Sequence, residues 1–275
     1  MNSPKYIIFT DLDGTLLDHH TYKFDAALPA LKEIKRQKIP LILTSSKTSA
    51  EIKILRSQIQ NVDPFIVENG GAIFIPKKYF FNPFNFDKKK ENYYIIEIGT
   101  PYSKLRQAFN EIKKASGLAL VGFGDLNVEE LVLKTDLASV DADLALQREY
   151  DEPFFAEKSL GEVELTRLKK LVTNLGLNIT VGGRFYHLTG KNDKGKAVTI
   201  LASIFKKERG NQIKTVGLGD SLNDLPMLEV VDEPMLVQKP TKEYDEGVLA
   251  KIKPTLAKEA GPVGWNDVVL NLLGA

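Results

Sequence analysis

Two acids one residue apart interrupt the stretch "YIIFTDLDGTLL" (6–17), and two more stand four residues apart in "GDSLND" (219–224). Asp11, Asp13, Asp220 and Asp224 each follow a short apolar run. In an open parallel sheet they would converge on the crevice at the carboxyl ends of the strands. Four carboxylates there cannot all stay ionised without a cation, and an all-oxygen ligand set fits Mg²⁺. The segment "DLDGT" (11–15) reads in more than one way. It can be a plain Asp/Gly turn. It fails as an EF-hand loop, because its Gly comes fourth rather than sixth and the bidentate Glu is missing. As a catalytic pair, Asp11 would attack an electrophile while Asp13 gives and then takes a proton. The second acidic motif weakens the bare-turn reading.

Other strand ends carry polar groups too. The hydroxyls, amine and backbone N–H groups of "TSSKT" (44–48) suit a phosphate, although the same residues read equally as a Ser/Thr helix cap. "DKGK" (193–196) opens a helix with Lys194 and Lys196, each by itself an ordinary surface lysine. The Gly-x-Gly in "GLGDSL" (217–222) is a poor dinucleotide match. Asp220 stands where a pyrophosphate must approach, and Leu222 replaces the third Gly.

These groups need a scaffold, and the apolar patterning supplies one. "YIIF" (6–9), "IPLIL" (39–43), "PFIV" (64–67), "KTVGL" (214–218) and "PMLV" (234–237) are continuously apolar, as strands covered on both faces must be. Helical stripes separate them at 25–37, 49–59 and 193–207, the last behind an Asp N-cap. The alternation predicts a doubly wound, mostly parallel, Rossmann-like α/β core. The middle differs. The polar stretch "FNPFNFDKKKENY" (81–93) is followed by a strand (93–99), a helix (103–116), a single helix (131–149), a further helix (162–176) and two hairpin-like strands (177–190). We therefore expect an α+β cap inserted at 84–188 into a core made of 1–83 plus 189–275, with edges uncertain by several residues.

Bulk composition narrows the field. Lys+Arg 37 against Asp+Glu 36 in 275 residues argues against a general nucleic-acid binder. The absence of Cys excludes thiolate chemistry and Cys-ligated metals. No run approaches a membrane span, and the N-terminus lacks a signal-peptide pattern, so a cytoplasmic protein is expected.

Taken together and in order, "DLDGT", Thr44 after "PLIL", Lys194 in "DKGK" and "GDSLND" resemble the four motifs of the haloacid dehalogenase-like phosphohydrolase superfamily, with an insert similar to its type IIB cap. The resemblance implies that Asp11 is the nucleophile of an aspartyl-phosphate mechanism and Asp13 the general acid and base. It implies that Thr44 and Lys194 hold the phosphoryl oxygens. Asp11, Asp13 (through its carbonyl) and Asp220 would hold Mg²⁺, supported by Asp224 and Asn223. Relatives that retain their phosphoaspartate carry Thr at position 13, so hydrolysis is expected here.

Within the superfamily, "TSSKT" (44–48), "ENGG" (68–71), "LALQREYDEPF" (144–154), "GGRFYHLTGKNDKGKAV" (182–198) and "GPVGWNDVV" (261–269) together look like a branch that dephosphorylates 2-O-mannosyl-3-phosphoglycerate to the compatible solute mannosylglycerate. The alternatives are glucosyl-3-phosphoglycerate or another sugar phosphate and, less favoured, a non-catalytic phospho-ligand sensor. A phosphorylated glycoside with a carboxylate wants cations and donors, so Ser45, Lys47, Arg148, Glu149, Arg184, His187 and Asn223 are the expected substrate contacts. Arg148 beside Glu149, Asp151 and Glu152 reads equally as a surface ion pair. A monomer or homodimer without nucleic-acid or membrane partners is expected.

Overall fold

The computed structural model describes residues 5–135, 137–181 and 185–275. Six strands come first: β1 (Tyr6–Thr10), β2 (Leu41–Thr44), β3 (Phe65–Val67), β4 (Ala72–Pro76), β5 (Lys88–Lys90) and β6 (Tyr93–Glu97). Then follow β7 (Leu120–Gly122), β8 (Asp151–Ala156), β9 (Asn178–Val181), β10 (Tyr186–Thr189), β11 (Lys214–Gly219), β12 (Glu233–Gln238) and β13 (Thr255–Ala260). The helices used below are α1 (Leu28–Arg36), α2 (Ser49–Gln58), α3 (Tyr102–Ser116), α4 (Val128–Thr135), α5 (Ser139–Leu146), α6 (Glu162–Asn174), α7 (Lys194–Arg209) and α8 (Gly261–Leu273).

Nine strands form one sheet in the order β13-β12-β11-β1-β2-β3-β4-β6-β5. It is parallel from β13 to β3 and antiparallel beyond. The two-residue alternation of a strand sorts its side chains between the faces. From β1, Tyr6 and Ile8 pack with Ala30, Ile34, Ile52 and Trp265 of α1, α2 and α8. Ile7 and Phe9 face the other way, onto Ala197, Val198, Leu201 and Phe205 of α7. Both faces are therefore dry, and the strands read as unbroken apolar runs.

A second, antiparallel sheet, β7-β8-β10-β9, lies in the middle of the chain. Leu105 and Phe109 of α3 and Leu168 and Val172 of α6 pack with Phe154 and Leu188 of this sheet. Phe123, Leu131, Ala142 and Ala145 form a smaller cluster with Phe185.

Two expectations change. Residues 88–97, expected in the insert, pair into the large sheet through β4, and the second sheet draws its strands from 120–189 only. The three lysines at 88–90 form an edge strand, where their charged side chains reach water and discourage further pairing. The single helix expected over 131–149 is two, α4 and α5, because Ala138 adopts an extended conformation (φ −63°, ψ 150°) that caps α5 instead of continuing α4.

Candidate active site

The site begins where β1 stops. Asp11 N–H donates to the Leu218 carbonyl at 2.9 Å, holding the chain against β11. The Thr10 hydroxyl donates to the Asp11 carbonyl (2.8 Å) and accepts from Trp265 Nε1 (2.9 Å), so a buried indole braces the residue behind the acid. The chain then turns through Gly14 at φ +82°, where a Cβ would lie 2.9 Å from Asp220 Oδ2. A side chain there would push apart the loops after β1 and β11.

Asp220 and Asp224 arrive from the end of β11. Asp224 Oδ2 accepts the N–H groups of Asp220 (3.0 Å) and Ser221 (3.3 Å), which folds the loop around its own carboxylate. Lys194 opens α7 behind the N-cap Asp193. It is almost fully buried, with Nζ 2.8 Å from Asp11 Oδ1 and 2.7 Å from Asp224 Oδ1. The surface-lysine alternative is thereby excluded for Lys194.

One oxygen from each of Asp11, Asp220 and Asp224 lies within 4.8 Å of the others. One lysine cannot balance three acids, two buried and one half-buried. Burial, aided by the Asp224 charge and opposed by Lys194, pushes the Asp11 carboxyl up to about 7. Burial and then the charges of Asp224 and Asp11 push Asp220 up to about 8. Burial works against the charge of Lys194, but Asp11 and Asp224 outweigh it and hold its pKa above the ordinary value. Protons on these acids stand in for a missing positive charge, and the donors are all oxygens, so the cluster fits a hard divalent cation such as Mg²⁺. Both oxygens of Asp224 are already engaged, which suits it to holding the loop and Lys194.

The other expected residues distribute unevenly. The Asp13 side chain lies outside the three-acid group. Its Oδ2 meets Lys47 Nζ at 3.0 Å, and its buried Oδ1 has no partner among the described residues. Lys47 also reaches Glu51 (3.7 Å) and sits over the Tyr22 ring. Thr44 and Ser45 are buried at the end of β2. The Thr44 hydroxyl contacts the Ile42 carbonyl at 3.4 Å, and Ser45 Oγ accepts Lys47 N–H. Thr48 does form a capping box with Glu51, so the helix-cap reading of "TSSKT" holds for its last residue. Asn223 donates to Asn69 Oδ1 (3.0 Å).

A cavity of about 1110 Å³ joins the acids to the second sheet; its walls include Asp11, Asp13, Lys47, Arg148, His187 and Asp220. Arg148 is no surface ion pair. Its side chain is 8% exposed, Nη1 donates to the Ser46 carbonyl at 2.9 Å, and Nη1 lies 3.9 Å from the buried Asp151. His187 Nδ1 is 2.7 Å from Asp151 Oδ2. Glu149 lies away from the cavity wall, accepting from Ser49 (2.8 Å) and Lys90 (2.9 Å). Arg184 falls outside the described residues. Sequence reasoning missed His19, His20, Tyr22 and Lys239, which also line the cavity. Lys239 directly follows β12 at a carboxyl end, and the three others follow the first acidic motif, so position alone was a usable signal.

A family model of haloacid dehalogenase-like hydrolases matches residues 8–115. A glucosyl-3-phosphoglycerate/mannosyl-3-phosphoglycerate phosphatase of Methanococcoides burtonii is 47% identical over 98% of both chains. A mannosyl-3-phosphoglycerate phosphatase of Pyrococcus furiosus is 37% identical, covering 92% of this chain and 98% of the relative. Among solved structures, a subclass IIB sugar phosphatase superposes with a TM-score of 0.65 at 14% identity, covering 98% of this chain and 99% of its own. At that identity it speaks for the fold alone.

Proposed function

The chain belongs to the haloacid dehalogenase-like hydrolases and is a phosphoric monoester hydrolase; from that premise we propose that its substrate is a glycosyl-3-phosphoglycerate, mannosyl or glucosyl. The observation that carries this reading is the 47% identity, over nearly the whole of both chains, to a phosphatase named for both sugars. A cavity lined by Asp11 as well as by Lys47, Arg148 and His187 supports it, because a ligand bearing a carboxylate and a phosphate needs cations and hydrogen-bond donors.

In this reading Asp11 attacks phosphorus with a carboxylate oxygen. The bond to the glycerate oxygen breaks as Asp13 hands that oxygen a proton. Asp13, now a carboxylate, takes a proton from a water whose oxygen attacks the phosphoaspartate, releasing inorganic phosphate and restoring Asp11. The unpartnered Oδ1 of Asp13 is the oxygen available for this proton, while Lys47 holds Oδ2. Lys194 fixes the attacking carboxylate and offsets charge on the phosphoryl group. A bound Mg²⁺, held by Asp11, Asp220 and the Asp13 carbonyl, would neutralise phosphate charge. Thr44 and Ser45 would complete the phosphate pocket, and Arg148, His187, Lys47 and Asn223 would face the rest of the ligand. We propose the division of labour to match the two sheets, with the α/β layer carrying the chemistry and the segment between about residues 100 and 190 acting as a specificity cap.

Phosphate release from mannosyl- and glucosyl-3-phosphoglycerate, measured side by side with simple hexose phosphates, tests the substrate. Asp11→Asn should abolish turnover of all of them, since an amide cannot form the phosphoaspartate. Full activity in that variant refutes the mechanism.

A further inference from the structure

The segment "ENGG" (68–71) follows β3 and has no part in the chemistry above, yet its hydrogen bonds reach most of the site's supports. Glu68 N–H donates to the Lys47 carbonyl (3.1 Å), and Asn69 N–H to the Ser45 carbonyl (2.9 Å). The Asn69 side chain accepts from Asn223 of the acidic loop. Glu68 and Asn69 hold φ of +47° and +57°, a left-handed bend that Asn tolerates and that a Glu adopts only when its surroundings hold it there. The Glu68 side chain, fully buried, points the other way, towards the second sheet. Its two oxygens accept Glu149 N–H (2.9 and 3.2 Å), and Oε2 also accepts Tyr150 N–H (2.8 Å). Asn192, on the chain that returns to α7, donates to both the Glu68 carbonyl (2.8 Å) and the Tyr150 carbonyl (2.9 Å). The outgoing chain is tied to the same loop, because Ile98 and Gly99 N–H both donate to the Gly71 carbonyl. A side chain at Gly71 would meet Tyr150 Cβ at 2.5 Å, so the loop and the entrance to β8 are in close contact.

We propose that Glu68 is a positioning residue: it anchors the backbone at 149–150 to the core so that the neighbouring Arg148 is presented over the reaction centre. Arg148 cannot do this by itself. Its own contacts with the core are few: Nη1 donates to the Ser46 carbonyl, Nη2 lies 4.0 Å from Glu51 of α2, and the guanidinium lies over the Phe123 ring. Without the Glu68 carboxylate, two amide N–H groups lose their acceptors, and the segment carrying Arg148 is left held to α2 from its flanks, by Thr48 to the Leu144 carbonyl and Ser49 to the Glu149 side chain.

The inference rests on the carboxylated substrate proposed above. Glu68→Ala should raise KM for mannosyl-3-phosphoglycerate about tenfold or more, the order expected from one lost anchoring interaction. Turnover of a small aryl phosphate, which does not reach Arg148, should stay within about twofold. Glu68→Gln keeps an accepting oxygen and should fall between wild type and Glu68→Ala. In an Arg148→Ala background, Glu68→Ala should cost almost nothing further, because both changes remove one effect. Equal losses on both substrates, no loss at all, or full multiplication of the two single losses would each overturn the proposal. If Glu68→Ala does not fold, Asn192→Ala loosens the same anchor and should give the same split. Failure of the wild type to hydrolyse mannosyl-3-phosphoglycerate would instead refute the substrate reading; the coupling is then measured on the sugar phosphate that it does hydrolyse.

Discussion

Magnesium binding should depend steeply on pH, and the burial of Asp11 and Asp220, reinforced by the charges of the neighbouring acids, sets how steeply. Asp11, pushed up to about 7, and Asp220, pushed up to about 8, carry protons at mildly acid pH that a cation has to displace. Below its pKa each acid costs a factor of ten in apparent affinity per pH unit. Affinity should therefore rise on the order of 10³-fold from about pH 6 to about pH 8 and level off above it. Stability of the metal-free protein runs the opposite way. Both acids bind their proton more tightly folded than at the ordinary value of 3.8, so this contribution is complete near pH 4. It is lost as pH rises through 7 to 8. Mg²⁺ should accordingly raise Tm most on the alkaline side. Isothermal titration calorimetry in buffers of different ionisation enthalpy counts the protons directly: about two released near pH 6, and about one fewer in Asp220→Asn. An affinity flat between pH 6 and pH 8, with no proton release, would refute the argument that burial and mutual repulsion of these acids create the cation site.

Two further substitutions probe the supports. Lys194→Met strips the buried acids Asp11 and Asp224 of their shared cation and should lower stability by about 3 kcal/mol at alkaline pH. The loss should shrink as Asp11 takes up its proton at lower pH; a pH-independent loss, measured by urea unfolding, would count against the pairing. Trp265→Phe deletes the bond from Nε1 to the Thr10 hydroxyl and should cost about 1–3 kcal/mol of unfolding free energy. An unchanged urea midpoint would mean that the indole does not brace the residue behind Asp11.

The parallel part of the fold was legible because each strand is buried on both faces and so spells an unbroken apolar run, as "YIIF" does. The positions of Asp11, Thr44 and Asp220 followed, since chain ends of parallel strands point to one edge. Residues 88–90 were read as part of a polar crossing because "KKK" has the composition of a linker, and only pairing with β6 makes it a strand. Arg148 and Glu149 are adjacent and were expected to do similar work. One lines the cavity while the other turns to Ser49 and Lys90, a separation fixed by the path of the chain out of α5.

By itself, then, the sequence determined which segments are dry, where they stop, and which acids, hydroxyls and lysine stand at their ends. These are local properties of burial and backbone direction. Only the tertiary structure decided which of those groups touch. Lys194 and Asp11 are 183 residues apart and meet at 2.8 Å because α7 packs on the same strand that carries the acid. The sequence marks the strand-end segment that holds Glu68 but not the role of this residue, since its value lies in backbone amides 81 and 82 residues further on. Such contacts form when two layers dock, and docking geometry depends on the packing of the whole chain.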